Sequence, residues 1–565
     1  MMDRGTRTWL LMILILSLGL NLWSINFGLP ESWHPDELNS RAVRMLRQFS
    51  LNPHSFLYGS LHYYLVSTVM VPAYLVAELL SWPEPAQKTA AWLAARSLSA
   101  VLGAGCVALL FFLTRALFDR VAALLSALFL ALTVGFVNIA HFASVDVPML
   151  FWMLASYCMA AYVLNGGARR WYVLAGLFAG LAAATKYVGG VAILGLLVAH
   201  VLAPRPHRHG DLLLGFLASA LAFVVANPPL VFASCEFFEG FVLDNAFNTV
   251  VGTDIQSAPL HNILFAIYGA LGLPFSTLAI LALLYGFSLL LQREHRAKVL
   301  FVLTMLVPFL LLISNVHYAV TRHILPVLPP LLILISKMIA DMVGAQRATM
   351  RYSGLATAAV ATLASGLYTL SAELEFTFDA RYAATAWVQR NVPEGASIEV
   401  TPYGPWLPPD RFAILDRPRQ QRNLGMTIGA MQDSLVYRLL HPIYRGYKGF
   451  AEELGLCAPR ERHYEGWYER EHAMMADVLQ TFDPSMEGLE ARNPDVVIVS
   501  DLYYYRFEKD YSSPEGLFFK ALLAGHSAYQ QVDEFHYQFL PWLDPKLEFI
   551  NPTIHIFRRQ PTRAG

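Results

Sequence analysis

The chain has 565 residues, of which 56% are hydrophobic and only 15% are charged, and this composition is too apolar for a soluble protein of that length. The formal net charge of -1 lacks the clustered positive charge that binding to nucleic-acid phosphates requires, so nucleic acid is not an expected partner. We therefore expect most of the chain to lie in a lipid bilayer.

Eleven apolar segments are long enough to cross the bilayer as helices. We expect the first to be an uncleaved span and not a signal peptide, because no small-residue cleavage pattern follows it. The eleven segments lie near residues 8–27, 90–114, 121–138, 148–164, 171–185, 187–203, 211–227, 262–291, 299–315, 323–342 and 353–371. A further apolar run at 57–80 is ambiguous, because it either crosses the membrane or returns to the face that it leaves.

The positions of Lys and Arg predict the orientation, because short loops rich in these residues stay in the cytoplasm. The basic loops contain Arg4 with Arg7, Arg115 with Arg120, Arg169 with Arg170, PRPHRH at 204–209, REHRAK at 293–298, and Arg347 with Arg351. All of them are cytoplasmic, together with the N-terminus, only if 57–80 does not cross. The outer face then receives loop 28–89, residues 228–261, the turns at Asp146, Lys186 and Arg322, and everything after about residue 371. If 57–80 does cross, the intervening loops change sides.

The C-terminal third differs from the rest in composition. Residues 372–565 are charged and rich in turn residues, with strand-like segments SIEV, PDVVIVS and PTIHIF between helical patterns. This predicts a soluble α/β domain that follows a transmembrane domain at 1–371. The positions of Cys106, Cys158, Cys235 and Cys457 suggest neither a disulfide framework nor a CxxC metal site.

Two acidic positions fall at the predicted outer rim of the membrane. Asp36 and Glu37 follow the first span in the sequence WHPDE, and Asp146 lies in HFASVDVP. Carboxylates so close to lipid are costly to keep charged and are candidates for function. The alternative is that each acid only caps a helix, since Pro35 or Pro148 stands beside it in a first helical turn. The two interpretations are compatible.

The tetrapeptide HPDE in the first outer loop resembles the GT-C superfamily of membrane glycosyltransferases. HFASVDVPMLFWMLASY, GLAAATKYVGG and HYAVTRHILPVLPPLLIL are similar, in order, to segments of bacterial family 39 enzymes, the relatives of dolichyl-phosphate-mannose protein mannosyltransferases and lipid A aminoarabinose transferases. The resemblance implies a polytopic all-α GT-C fold with a C-terminal extracytoplasmic α/β domain. It also implies that Asp36 is the general base, that Glu37 orients the acceptor or Asp36, and that Asp146 is the second catalytic acid.

Such an enzyme inverts the anomeric centre as it moves a sugar from a polyprenyl-phosphate donor to a hydroxyl acceptor. The departing lipid phosphate must be met by fixed cations, and the candidates are Lys186, Arg322, its neighbour His323 and Arg96. Arg96 matches an arginine early in the second span of the family, and its partner could be Asp36, Asp146 or the phosphate. The alternatives are that Lys186 only snorkels to the surface and that Arg322 is only an anchor at the rim.

Several features stay open at the level of sequence. The acceptor is a protein, lipid A, or a glycolipid or polysaccharide, and the expected location is a bacterial inner membrane. No cofactor is certain, because no HExxH motif is present and the related enzymes differ in their need for a divalent metal. The rival function is a transporter or flippase for a lipid-linked or anionic substrate, although no internal repeat supports it. A third reading is a non-catalytic anchor for the outer domain.

Overall fold

The structure is a computed structural model of the chain. It describes residues 3–31, 33–34, 37, 39–204, 209–250, 259–314, 320–417, 433–455, 457, 482–507, 513–540, 543, 547 and 549–560. The chain forms two compact units. The first, which we call the helical unit, comprises Met1–Leu370 and Thr427–Glu461, and the second, the sheet unit, comprises Ser371–Met426 and Arg462–Gly565. The expectation of a single break at 371–372 did not anticipate that residues 433–455 would be grouped with the helical unit.

Helices make up most of the described chain. In chain order they are α1 Arg4–Leu22, α2 Asn39–Arg47, α3 Leu61–Leu79, α4 Glu84–Leu117, α5 Arg120–Ala131, α6 Val134–Ala140, α7 Asp146–Leu164, α8 Arg169–Thr185, α9 Ala192–Leu202, α10 His209–Ala226, α11 Pro229–Phe232, α12 Ser234–Val250, α13 Pro259–Leu290, α14 Arg293–Ile313, α15 Leu328–Val343, α16 Ala348–Thr377, α17 Ala380–Asn391, α18 Leu435–Glu453, α19 Met486–Arg492, α20 Asp501–Tyr504 and α21 Pro514–Leu523. Short 3-10 helices lie at Tyr187–Val191, Thr321–Val327 and Tyr505–Phe507.

All eleven predicted apolar segments fall on helices, and eight helices in the described part of the chain are long and apolar enough to cross a membrane. The three remaining segments form the pair α5 and α6, which is bent by 58°, the 17-residue α8, and the shorter helix Tyr187–Leu202. The ambiguous run 57–80 forms α3, which is not one of the eight. A mostly helical fold with many apolar helices is therefore confirmed.

Several contacts gather the predicted basic loops at one end of the helical unit, which we call the basic end. Arg120 forms an ion pair with Asp3 at 3.1 Å, and Arg169 forms one with Asp211 at 2.7 Å. Lys337, near the end of α15, lies 3.6 Å from Asp119. In the same region, Lys298 lies over the ring of Phe118. Alternation of the helices then places the ends of α1 and α8 and the starts of α7 and α15 together at the opposite end, which we call the site end.

A disulfide bond joins Cys235, at the start of α12, to Cys457, just after α18, with Cα atoms 5.9 Å apart. The expectation that the cysteines form no disulfide was therefore wrong. The two residues are 222 positions apart, so no spacing pattern indicates the bond. Cys457 also belongs to the C-terminal stretch that packs with the helical unit. The two other cysteines, Cys106 and Cys158, are free and buried.

The sheet unit has a five-stranded sheet in the order β2-β1-β3-β5-β4. The strands are β1 Ser397–Val400, β2 Ala413–Asp416, β3 Val496–Ser500, β4 Tyr529–Phe535 and β5 Ile554–Arg559. β1 is parallel to β2 and β3, whereas β5 is antiparallel to β3 and β4. β3 is buried along its whole length, as its continuous apolar sequence requires, because α17 and α21 pack against opposite faces. The α/β prediction is confirmed, with SIEV, PDVVIVS and PTIHIF forming β1, β3 and β5.

A buried ion cluster fixes the edge of this sheet. Arg417, directly after β2, lies 2.8 Å from Glu399 and 3.0 Å from Glu515, and Arg492 lies 2.8 Å from the second oxygen of Glu399. Burial raises the pKa of the Glu515 carboxyl, while the Arg417 guanidinium opposes that shift. Because both arginines share Glu399, the cluster ties β1 and β2 to the helices that flank them.

Candidate active site

Glu37, the second acid of the HPDE sequence, is buried against Arg96 of α4. The guanidinium donates two hydrogen bonds to the carboxylate, from Nε at 2.8 Å and from Nη2 at 2.7 Å, and both side chains are at most 1% exposed. The backbone N–H of Ala143 donates a third hydrogen bond to Glu37 at 3.0 Å. Burial disfavours the charged carboxylate, but Arg96 and this N–H keep the pKa of Glu37 below its usual value. These contacts therefore favour the carboxylate form of Glu37.

Arg96 also anchors the loop that leads from α1 to the acidic pair. Its Nη1 donates to the carbonyl oxygens of Ile25 at 2.8 Å and Phe27 at 2.6 Å. The sequence left three partners open for this arginine, namely Asp36, Asp146 and the lipid phosphate. The observed partner is Glu37, which is none of the three. Through these contacts Arg96 positions the first outer loop.

Replacing Arg96 with methionine should destabilise the protein by about 3–5 kcal/mol, because Glu37 would then be buried without a counter-charge. The measurement is thermal unfolding of the purified protein in detergent. The matched control is Arg115→Met, which removes an exposed arginine from the same helix and should change little. The double variant Arg96→Met/Glu37→Gln should recover much of the loss. If the two single variants unfold at the same temperature, the Glu37–Arg96 pair does not hold the loop.

A second buried ion pair joins Asp146 and Lys186. Asp146 is the first residue of α7, and Lys186 follows the last residue of α8, so two antiparallel helices bring them together. The Lys186 Nζ lies 2.7 Å from Asp146 Oδ1, and their side chains are 14% and 2% exposed. Lys186 Nζ also lies 5.5 Å from the centre of the Tyr58 ring. Lys186 thus combines a buried acidic partner with a side chain that is itself 14% exposed.

The segment from Ala143 to Asp146 connects the two ion pairs. The Ala143 N–H binds Glu37, and the buried His62 of α3 lies beside the backbone of the same segment. Gly59, just before α3, lies so close to α8 that a Cβ there would be 1.9 Å from the Ala184 carbonyl oxygen. Only glycine permits this approach. Both predicted acidic loops therefore belong to one connected region.

Loop 50–60 is held against this region by residues that the sequence did not single out. The hydroxyl of Tyr187, next to Lys186, donates to the Phe56 carbonyl at 3.0 Å. The side chain of Asn227, at the end of α10, accepts from the Ser60 N–H at 2.7 Å. Glu236 of α12 binds the loop at a third place, through Asn52 and His54. The one available sequence signal was that a polar residue, Asn227, ends the long apolar run 211–227 and that an acid, Glu236, comes after it.

Glu236 of α12 receives two side chains of the same loop. Its Oε2 accepts from Asn52 at 2.7 Å, and its Oε1 lies 2.7 Å from His54 Nδ1. The hydrogen bond to Glu236 raises the pKa of His54 above its usual value, and partial burial opposes the shift. Because Cys235 directly precedes Glu236, the disulfide bond and these contacts lie at the same point of α12.

Arg322 and His323, the other predicted phosphate ligands, lie in the 3-10 helix Thr321–Val327 and are both half-buried. This helix packs against α6, α7 and α13, and α7 is the helix that begins with Asp146. Asp36 lies outside the described residues, although its neighbour Glu37 is fixed at the site end. Within the described ranges, no three His, Cys, Asp or Glu side chains are grouped so that they could hold a metal ion.

The first part of the chain matches a known protein family. Residues 9–241 match the family described as dolichyl-phosphate-mannose-protein mannosyltransferase. The matched range contains Glu37, Arg96, Asp146 and Lys186, while Arg322 and His323 lie beyond it. No curated protein sequence matches the chain.

Two solved structures share the fold of nearly the whole chain. The first is ArnT from Cupriavidus metallidurans bound to undecaprenyl phosphate, with 15% identity, coverage of 97% of this chain and 98% of that chain, and a TM-score of 0.51. The second is the oligosaccharyltransferase from Archaeoglobus fulgidus in its apo form, with 13% identity, coverage of 95% and 74%, and a TM-score of 0.53. At these identities the likeness establishes the fold.

Proposed function

We infer that this chain is a membrane glycosyltransferase of the GT-C fold. The family match over residues 9–241 and the likeness to the two solved structures support this inference. We propose that it moves a sugar from a polyprenyl-phosphate donor to a hydroxyl group of a protein, lipid A, a glycolipid or a polysaccharide. The fold relative that was solved with undecaprenyl phosphate supports a donor of this class.

The observation that carries the proposal is the buried Asp146–Lys186 pair in the same connected region as Glu37. A lysine beside lipid is costly unless an anion accompanies it. Asp146 compensates the charge in the resting protein, and the accessible part of the ammonium can bind the phosphate of the donor. As the bond between the anomeric carbon and the phosphate oxygen breaks, negative charge grows on that phosphate, and Lys186 stabilises it. We propose Arg322 and His323 as further phosphate ligands.

The proposed base is Asp36. The acceptor hydroxyl attacks the anomeric carbon, its proton passes to the Asp36 carboxylate, and the polyprenyl phosphate leaves with the bonding electrons. A single displacement of this kind inverts the anomeric centre. Glu37 keeps the preceding loop in place through Arg96, so we now propose both as positioning residues for Asp36.

We propose that the site end faces away from the cytoplasm of a bacterial inner membrane. The gathering of basic loops at the opposite end supports this orientation. The Cys235–Cys457 disulfide also supports it, because such bonds persist in oxidising compartments. α3 starts at the site end, beside Ala143 and Ala184, and packs against the part of α4 that precedes Arg96. This packing favours the arrangement in which residues 57–80 return to the outer face and do not cross the membrane.

The direct test is to incubate the purified protein with polyprenyl-phosphate sugars and an extract of its own cell envelope. We expect release of polyprenyl phosphate together with a glycosylated acceptor whose anomeric configuration is opposite to that of the donor. A transporter or flippase would instead move the donor across a vesicle membrane and form no covalent product. Translocation without product would therefore decide for that rival, and product of retained configuration would contradict single displacement.

A further inference from the structure

Helix α18, Leu435–Glu453, belongs to the helical unit although it is inserted between segments of the sheet unit. It packs along α12: the rings of Tyr447 and Phe238 are 4.9 Å apart, and Ala451 is buried beside Cys235. Cys457, which bonds to Cys235, follows the end of α18. One face of α18 is therefore fixed to a helix that also holds the loop beside the candidate site.

The face next to this contact is apolar and uncovered. Leu435, Leu439, Ile443 and Phe450 are 68%, 60%, 69% and 60% exposed. At 3.6 residues per turn they fall within an arc of about 80°. A solvent-exposed row of four large apolar side chains is unfavourable in water, and it marks a surface that another apolar phase covers.

Basic side chains occupy a separate arc of the same helix. Arg438 and Arg445 are exposed and lie within about 20° of each other on the helix, roughly 120° from the middle of the apolar row. Lys448 lies on the same side, toward the buried face. Within α18 the acidic residues Glu452 and Glu453 are confined to the C-terminal end. A helix with an apolar arc beside a basic arc is suited to the boundary between acyl chains and lipid phosphates.

Other exposed apolar side chains lie in the chain that precedes α12. In the short helix directly before Cys235, Val231 and Phe232 are 71% and 53% exposed. In α10, which is a candidate membrane span, Leu221 and Val225 are 66% and 67% exposed. The chain that leads into α12 thus presents apolar side chains to the lipid up to the point where α18 is attached.

From these observations we propose that α18 is an interfacial helix that lies in the bilayer surface. Its apolar row enters the acyl region, and Arg438 and Arg445 bind the phosphates of lipid headgroups. The Cys235–Cys457 disulfide holds it against α12. The occupant of the apolar face is therefore lipid and not a second copy of the chain. This role is separate from sugar transfer.

Site-directed spin labelling of the full chain in phospholipid nanodiscs tests the proposal. All four native cysteines are described, and two are buried while two form the disulfide, so an introduced cysteine takes the label. The labelled variants are Leu439→Cys and Ile443→Cys on the apolar row and Arg445→Cys on the basic arc. The controls are Leu284→Cys, on the lipid-exposed side of α13, and Glu490→Cys, on the surface of the sheet unit.

We expect oxygen, which concentrates in lipid, to relax the labels at 439 and 443 as it does at 284. A water-soluble nickel chelate should instead relax the label at 445, as at 490. Strong nickel relaxation at 439 and 443 would show that the helix lies in water. Labels at 439 and 443 that neither reagent reaches would show that protein covers the row, as in a dimer. Either result overturns the lipid assignment, and because no activity is measured, both are independent of the proposed sugar transfer.

Discussion

Replacing Lys186 with methionine is expected to lower the rate of sugar transfer by about 100- to 1000-fold, the loss typical when one stabiliser of transition-state charge is removed. The structural reason is that Lys186 lies at the site end, pairs with the buried Asp146 and has a side chain that is 14% exposed. The measurement is the rate of polyprenyl-phosphate release from the lipid-linked donor. Binding of polyprenyl phosphate alone should weaken as well.

Two controls separate this effect from a loss of folding. Lys186→Met leaves Asp146 buried without its partner, so the double variant Lys186→Met/Asp146→Asn should recover stability and remain inactive. Lys298→Met removes a half-buried lysine at the basic end and should leave transfer unchanged. If the double variant transferred sugar at the wild-type rate, the pair would be purely structural and the phosphate site would lie elsewhere.

The helices could be predicted from the sequence because the signal for a membrane span is local. A run of apolar residues such as 90–114 or 299–315 needs no knowledge of its neighbours to be recognised. The strands β1, β3 and β5 were recognisable for the same reason, since each is a short segment of alternating or continuous apolar residues between turn residues. Bends are harder to predict, because the 58° break between α5 and α6 depends on only two residues, Leu132 and Thr133.

Partnerships within the site could not be predicted, because they join residues that are far apart in sequence. Arg96 and Glu37 are separated by 59 positions, and their pairing depends on how the loop after α1 returns to α4. Lys186 and Asp146 were each recognised as costly charges beside lipid, but only the packing of α7 on α8 shows that they compensate each other. The sequence thus identified these charged residues near the membrane boundary but not their partners.

The same limitation explains the disulfide and α18. Residues 372–565 looked like one soluble domain because their composition is uniformly polar and turn-rich. The packing of 427–461 with the helical unit is a long-range property, and the pairing of Cys457 with Cys235 follows from it. The amphipathic pattern of α18 was present in the sequence, yet its meaning depends on that packing.

We propose above all that the Asp36 carboxylate acts as the base in a site whose phosphate ligand is Lys186. Its most direct test is the transfer rate of Asp36→Asn, a substitution that keeps the size of the side chain but removes its ability to take a proton. We expect the rate to fall by about 100- to 10,000-fold, the usual contribution of a positioned general base. Binding of polyprenyl phosphate and thermal stability should remain close to those of the wild type. Transfer at the wild-type rate would contradict the account.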